Sequence, residues 1–286
     1  MKKFAKIVSL MMALVLVSVC FIACGSTKTQ TVFKPEGTSK GTLKLGFDAD
    51  GFEPYGYLDE TTNQYVGFDI DLAKAACASI GYTLELIPVS WEAKDMELAS
   101  GNIDCIWNGF TIDGREDDYT WSAPYADSSI VVLVKGDAIK TLADLAGKNV
   151  KVQAGSSGET ALFATDDDGN VIKENDIPVW GDLAKTFKNG APATCAGYTE
   201  AFVELETGAV DALVIDAGTA KAMISGKTGY VVLDEAICSE QYGIGFKKGN
   251  EALMNTIWNA VIGLDKATIK SICDKYDVAD SVIIDD

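Results

Sequence analysis

Apolar and polar positions alternate along this chain in two rhythms. In Thr42-Leu43-Lys44-Leu45-Gly46 every second residue is apolar, the period of a half-buried strand. After Gly67, the residues Leu72, Ala73, Ala76, Cys77 and Ile80 recur at helical spacing until Gly81 stops them. Thr83 to Ile87 predicts a second strand, Glu92 to Ser100 a second helix and Asp104 to Trp107 a third strand. The β-α-β-α-β order implies an α/β fold, its mostly parallel sheet flanked by helices on both faces.

The pattern then repeats. Trp91 to Asp104 matches Tyr198 to Asp211, with Glu97 and Glu204 standing 107 residues apart. Leu43-Lys44-Leu45 recurs at the same offset as Val150-Lys151-Val152. A spacing this long is no solenoid period, and it predicts two similar α/β lobes. The apolar run Ser129 to Leu133 crosses into the second lobe, and Gln241 to Phe246 crosses back. In the second lobe, Val150 to Gln153, Ala212 to Ile215 and Tyr230 to Leu233 read as strands, and Ala217 to Ile224 as a helix. Asp166 to Asn189 matches nothing in the first half and reads as an insertion. Lobe 1 is therefore expected over 41–127 and 241–286 and lobe 2 over 128–240, with strand ends at the two crossings serving as a hinge.

The first forty residues follow another pattern. Lys2, Lys3 and Lys6 precede an apolar run of 17 residues, Ile7 to Ala23. Phe21-Ile22-Ala23-Cys24-Gly25 resembles a bacterial lipobox, although Phe21 stands where leucine is usual. The expectation is a signal peptide over 1–23, lipidation at Cys24 and a flexible tether over 24–40; an uncleaved helical anchor is the alternative. Either places the folded part outside the cytoplasm, held at the cell membrane, a lipid anchor by burying acyl methylenes.

Charge and composition narrow the function. Removing the first 23 residues takes three lysines and no acid, leaving 21 basic residues against 42 acidic ones. A surface of this sign repels nucleic acid, so no nucleic-acid partner is expected. Histidine is absent, which removes Ser-His-Asp and Cys-His machinery and the usual zinc sites. No phosphate-binding glycine loop is present, so neither a metal nor a cofactor is expected. Of seven cysteines, Cys20 and Cys24 lie in the export segment. Cys77 and Cys105 read as buried thiols, and whether Cys195 and Cys238 bridge is left open.

Arg115 is the one arginine among 24 basic residues. A solvated charge is served equally by lysine, whereas a two-pronged grip on a carboxylate requires the planar guanidinium. The competing reading is a surface ion pair with Glu116 or Asp117. Four loops lie beyond the carboxyl ends of predicted strands, where ligands of open α/β sheets sit. The first carries Asp48, Phe52 and Tyr55, the second Trp91, and the third runs from Asn108 through Gly109 and Thr111 to Arg115. The fourth, Gln153 to Thr160, exposes backbone N–H groups and the hydroxyls of Ser156 and Ser157 before a helix, an arrangement suited to an anion. Asp216 either caps the following helix or accepts from an ammonium group. Phe52 and Trp91 are either core or the walls of a pocket. Asp69 and Asp71 read as caps at the start of their helix. A carboxylate clamp, an ammonium acceptor and aromatic walls describe a zwitterionic α-amino acid.

Gly67-Phe68-Asp69-Ile70-Asp71-Leu72, Phe52-Glu53-Pro54-Tyr55, Leu145-Ala146-Gly147-Lys148, Gln153 to Ser157, Val210 to Asp216 and Tyr242-Gly243-Ile244-Gly245-Phe246 together resemble the extracellular solute-binding proteins of polar amino-acid ABC transporters. The resemblance covers about Thr42 to Tyr276. It implies a monomeric, two-lobed type II periplasmic-binding fold that closes on its ligand and delivers it to permease subunits without catalysis. Carried over by position, Arg115, Ser156 and Ser157 would bind the α-carboxylate, Asp216, Gly109 and Thr111 the α-ammonium, and Phe52 and Trp91 the side chain. Asp48 and Asn108 complete the expected lining; Asn108 and Phe110 depart from residues common in the family. A cyclohexadienyl-dehydratase-like enzyme on the same scaffold is the alternative, with Glu53 or Asp48 as its acid.

Overall fold

A computed structural model of the chain describes residues 30–163 and 180–284. The signal peptide, Cys24 and most of the expected insertion lie outside the described residues. Thirteen strands occur among those described. Strands β1 (Val32–Phe33), β2 (Gly41–Phe47), β3 (Tyr57–Asp59), β4 (Gln64–Val66), β5 (Tyr82–Pro88), β6 (Cys105–Thr111) and β7 (Tyr119–Trp121) belong to the first half. The long β8 (Ala126–Lys135) leads into the second, which holds β9 (Val150–Gln153), β10 (Ala193–Cys195), β11 (Ala212–Asp216) and β12 (Tyr230–Val232); β13 (Cys238–Lys247) returns.

The repeat read from the sequence is a repeat of topology. In the first half β5, β2 and β6 lie side by side and parallel. In the second, β10, β9 and β11 do the same. Helices Lys94–Ser100 and Tyr198–Thr207 both stop at a glycine in the left-handed region, Gly101 at φ 79° and Gly208 at φ 78°. The carbonyl of Glu97 accepts from Asn102 and Ile103 N–H; that of Glu204 accepts from Ala209 and Val210 N–H. One acid then pins each following strand. Asp104 accepts from Lys44 N–H at 2.9 Å and Asp211 from Asn149 N–H at 2.8 Å.

Two long antiparallel strands join the halves. Cys238 to Tyr242 of β13 pairs with Ala126 to Ile130 of β8. Beyond that shared stretch, β13 runs along β6 and β8 runs along β11. Each strand thus serves both halves, and both crossings fall where the apolar runs placed them. The larger core buries Leu43, Leu45, Phe47, Phe68, Ile70 and Trp107; a second, around Val132, Val134, Val152 and Val214, lies on the far side of the second half. Full burial of each such side chain contributes about 1.5–3 kcal/mol. Among the described residues no helix is long and apolar enough to cross a membrane.

Three local expectations are corrected. The tether was expected to run to residue 40, but Val32 and Phe33 pair with Glu85 and Leu84 of β5 as an edge strand, and Phe33 packs on the larger core. Its two apolar residues find unpaired backbone groups at the sheet edge. The helix expected from Glu92 begins as a 3-10 turn, Trp91–Ala93, and becomes α-helical at Lys94. Finally, Asp69 and Asp71 do not cap the Phe68–Ile80 helix, whose N-cap position is Gly67. Asp71 turns outward to Lys74, Lys275 and Tyr276. Asp69 turns inward, fully buried, and accepts from Gly109 N–H at 2.7 Å and Tyr125 O–H at 2.9 Å.

Burial pushes the Asp69 carboxyl up to about 7. The unfolded chain titrates this group near its ordinary value of 3.8, so between those values the folded state holds the extra proton. Stability contributed by that proton is present at acid pH and declines as pH rises through the window. Asp69→Asn keeps an acceptor for Gly109 N–H but cannot ionise. Its unfolding free energy, read from denaturant titrations between pH 4 and 7, is expected to fall less steeply than that of the wild type. The two slopes should differ by about 1.4 kcal/mol for each pH unit crossed. Parallel profiles for the two proteins would mean that Asp69 ionises normally in the fold.

Candidate functional site

The carboxyl ends of β2, β6, β9 and β11 converge beside the two crossing strands, and most of the residues expected to bind are gathered there. Gly109 is fixed from below by Asp69. Its φ of 53° and its proximity to Phe52, whose ring a Cβ at 109 would meet at 2.7 Å, both require glycine. Phe52 and Tyr55 pack at 5.5 Å, and Tyr55 meets Tyr242 edge-on at 5.2 Å. Trp91 packs edge-on to Phe110 at 5.4 Å. Phe52 and Trp91 are therefore packed as core residues.

The cationic end is built on Phe110. The Arg115 guanidinium lies 5.2 Å from that ring's centre, and it donates to the carbonyls of Thr111 at 3.1 Å and Gly155 at 3.4 Å. Gly155 belongs to the opposite half. Lys94, 4% exposed, donates to the same carbonyl at 3.3 Å and sits 5.3 Å from the Trp91 ring. Burial, and then the neighbouring Arg115 charge, hold the Lys94 ammonium below its ordinary range. Two cations from one half thus reach across to one loop of the other.

Ser156 and Ser157, grouped together by sequence, part company. The Ser156 hydroxyl donates to Gln153 O at 2.7 Å and accepts from Glu159 N–H at 3.1 Å, so it caps the Ser157–Phe163 helix. Ser157 faces the cleft instead. Its hydroxyl donates to Glu240 Oε2 at 2.8 Å and lies 3.3 Å from the Thr111 hydroxyl. Thr111 donates to the same oxygen at 2.7 Å. Thr111, Arg115, Ser157 and Glu240 line a cavity of about 40 Å³ between the halves.

The acidic end holds three carboxyls. Asp216 occupies the N-cap position of the Ala217–Met223 helix, yet its side chain makes no cap bond. It accepts instead from Tyr242 O–H at 2.7 Å, only 5% exposed. Burial, reinforced by the Glu240 carboxyl beside it, raises Asp216 well above the ordinary range, and burial raises Glu240 likewise. Asp48 lies further along. It accepts from Asp50 N–H at 2.9 Å and from the Gln153 amide of the other half. Burial pushes it up to about 6 despite those two bonds. Asn108 orients it, accepting from Asp48 N–H at 2.8 Å.

Glu240, Lys94 and the cross-cleft role of Gln153 were not among the expected site residues. Glu240 had a signal in the alternation of its strand, where Cys238, Glu240 and Tyr242 point inward and Ser239 and Gln241 outward. An acid on the inward register of a strand is costly unless it is paired or used. Glu53 lies elsewhere, in a groove of about 640 Å³ that also borders Tyr55, Asp127, Lys221 and Lys275 and contains none of the expected site residues. All five described cysteines are free thiols, including Cys195 and Cys238.

The L-cystine-binding protein of Escherichia coli is 27% identical over 248 residues, spanning 84% of this chain and 84% of that protein. The glutamine-binding protein of Geobacillus stearothermophilus is 28% identical, over 85% of this chain and 93% of its own. Among solved structures, an ABC uptake transporter substrate-binding protein from Streptococcus pneumoniae with bound histidine superposes with a TM-score of 0.73 at 29% identity, covering 83% of this chain and 94% of that one. An ancestral amino-acid-binding protein, a precursor of cyclohexadienyl dehydratase, superposes at 0.68 with 29% identity, over 83% and 96%. The fold is the two-lobed type II periplasmic-binding architecture, one sheet that is largely parallel within each half and is carried through both by the antiparallel strands β8 and β13. The model of the bacterial extracellular solute-binding proteins, family 3, matches residues 43–278, and the chain belongs to that family.

Proposed function

We propose that this chain is the substrate-binding component of an ABC importer, holding a free polar α-amino acid between its halves and passing it to permease subunits. The observation that carries this reading is the polarity of the cleft. Arg115, with the Ser157 hydroxyl across from it, offers a carboxylate clamp; Asp216, turned away from its own helix, offers an ammonium acceptor. Gly109 and Thr111 join Asp216 on the ammonium side. Phe52 and Trp91 wall the side chain, with Asp48 and Asn108 at its far end. Ser156 supports the site by capping the helix that presents Ser157. Glutamine-, histidine-, arginine- and cystine-binding relatives support the ligand class.

The role is one of binding without chemistry, exercised by a monomer. Asp48 or Glu53 as a dehydratase acid is the competing assignment, and turnover of prephenate or arogenate by the purified protein would favour it. The export segment is assigned as a lipoprotein signal, with acylation at Cys24 holding the mature protein outside the cytoplasm at the bacterial cell membrane. Cys24→Ser is then expected to move the protein from the membrane fraction into the soluble extracytoplasmic fraction; retention in the membrane would support the uncleaved anchor.

A thermal-shift screen of the common amino acids tests the reading directly. A ligand at a hundredfold excess over its dissociation constant stabilises the fold by about 2.7 kcal/mol. Neutral and basic polar amino acids are expected to shift the midpoint. Aspartate and glutamate are not, because Asp48 stands at the side-chain end. A flat response to the whole panel would remove the amino-acid assignment.

Arg115→Lys keeps the charge and loses the planar fork. Affinity for whichever amino acid binds is expected to drop by about tenfold or more, or ~1.4 kcal/mol, with the unliganded melting point nearly unchanged. Equal affinity in wild type and variant would place the guanidinium outside the contact.

A further inference from the structure

Glu240, like Lys94, is an ionisable group in the cleft that the proposed function leaves without a task. It is 3% exposed and lies on β13, the strand shared by both halves. One of its oxygens, Oε2, accepts from Thr111 of the first half and Ser157 of the second. The other, Oε1, is buried with no protein partner. A carboxyl taken out of water with a spare oxygen costs stability unless something supplies the missing donor. Its neighbour Asp216 is also an acid, and the two carboxyls lie within hydrogen-bonding reach of each other.

The surroundings do not supply that donor from a protein cation. The phenols Tyr55, Tyr198 and Tyr242 and the Cys238 thiol face the pair, and none is cationic. The acids acting on those phenols and that thiol include Asp48, Asp69 and Asp113. Among the described residues, Arg115 is the one cation whose charge acts on Glu240, holding its carboxyl down, but its guanidinium hydrogen bonds go to the Thr111 and Gly155 carbonyls. Two adjacent buried acids with a lone oxygen match a small cation carrying several N–H donors.

We propose that Glu240 is a further ligand-binding residue of the cleft, forming with Asp216 a two-carboxyl acceptor for the ligand's α-ammonium group. This inference rests on the amino-acid reading above and assigns that site a second acid. With no ammonium between them, the like charges favour one shared proton. Entry of an ammonium removes the reason to keep it, and the proton passes to solvent. Binding is then linked to proton release, and affinity rises with pH while the pair titrates, until the ligand ammonium itself deprotonates.

Calorimetric titration of the full protein with L-arginine, L-histidine, L-glutamine and L-cystine, from pH 5 to 8.5 in buffers of different ionisation enthalpy, tests it. For an amino acid that binds, the wild type is expected to release protons and to bind more tightly as pH rises. Glu240→Gln, which can still accept from Thr111 and Ser157, should bind about tenfold more weakly at pH 7.5 with a flattened pH profile. Glu240→Asp keeps the charge and should keep the slope, and it guards against a folding defect in the amide variant. Unchanged or tighter binding by Glu240→Gln, or a wild-type slope that survives in it, would overturn the role of Glu240. If the wild type binds none of the four, the amino-acid reading fails first and this inference falls with it.

Discussion

The structure depends on the pairing of β8 with β13. These strands run antiparallel over Ala126–Ile130 and Cys238–Tyr242, and each then commits its remaining length to a different half. A single sheet therefore passes through both halves, and a rotation between them must be absorbed within a few residues of these strands. The same pairing brings Glu240 and Tyr242, late in the chain, against Thr111 and Asp216. Residues far apart in the chain become hydrogen-bond partners because a strand has two edges.

The cleft is polarised by the way each half is built. In the first half, Asp69 fixes Gly109 from beneath, and Phe110 offers its ring to Arg115. In the second, a short helix capped by Ser156 presents Ser157, while β11 ends at a carboxyl that declines to cap the helix after it. Cationic groups reach the Gly155 loop, and acids collect beside them, with Arg115 and Glu240 lining one cavity. A zwitterion, the ligand proposed above, would match adjacent groups of both signs.

Burial gives the acids their character. Asp48, Asp69, Asp216 and Glu240 are all nearly or fully enclosed, and in each case desolvation is the largest influence on the carboxyl. Asp69 returns its cost by ordering a backbone that carries the site. Asp48 is held by Gln153 from the other half, so this part of the cleft is itself a junction between halves.

Local pattern was enough to place the strands and helices that carry a strong period, both crossings, and the two-lobed plan, because a 107-residue repeat of helix end and strand is a local pattern copied twice. The sequence also singled out Arg115 by residue choice and Asp216 by position. The packed fold was needed to choose between roles that one residue can fill in either way. Asp69 reads as a cap and is a buried brace; Ser156 reads as a ligand contact and is a cap; Val32 and Phe33 read as tether and form an edge strand. Glu240 was visible as an inward-facing acid, but its partners come from β6 and from the loop after β9, and no local pattern encodes a contact that exists only once the halves meet.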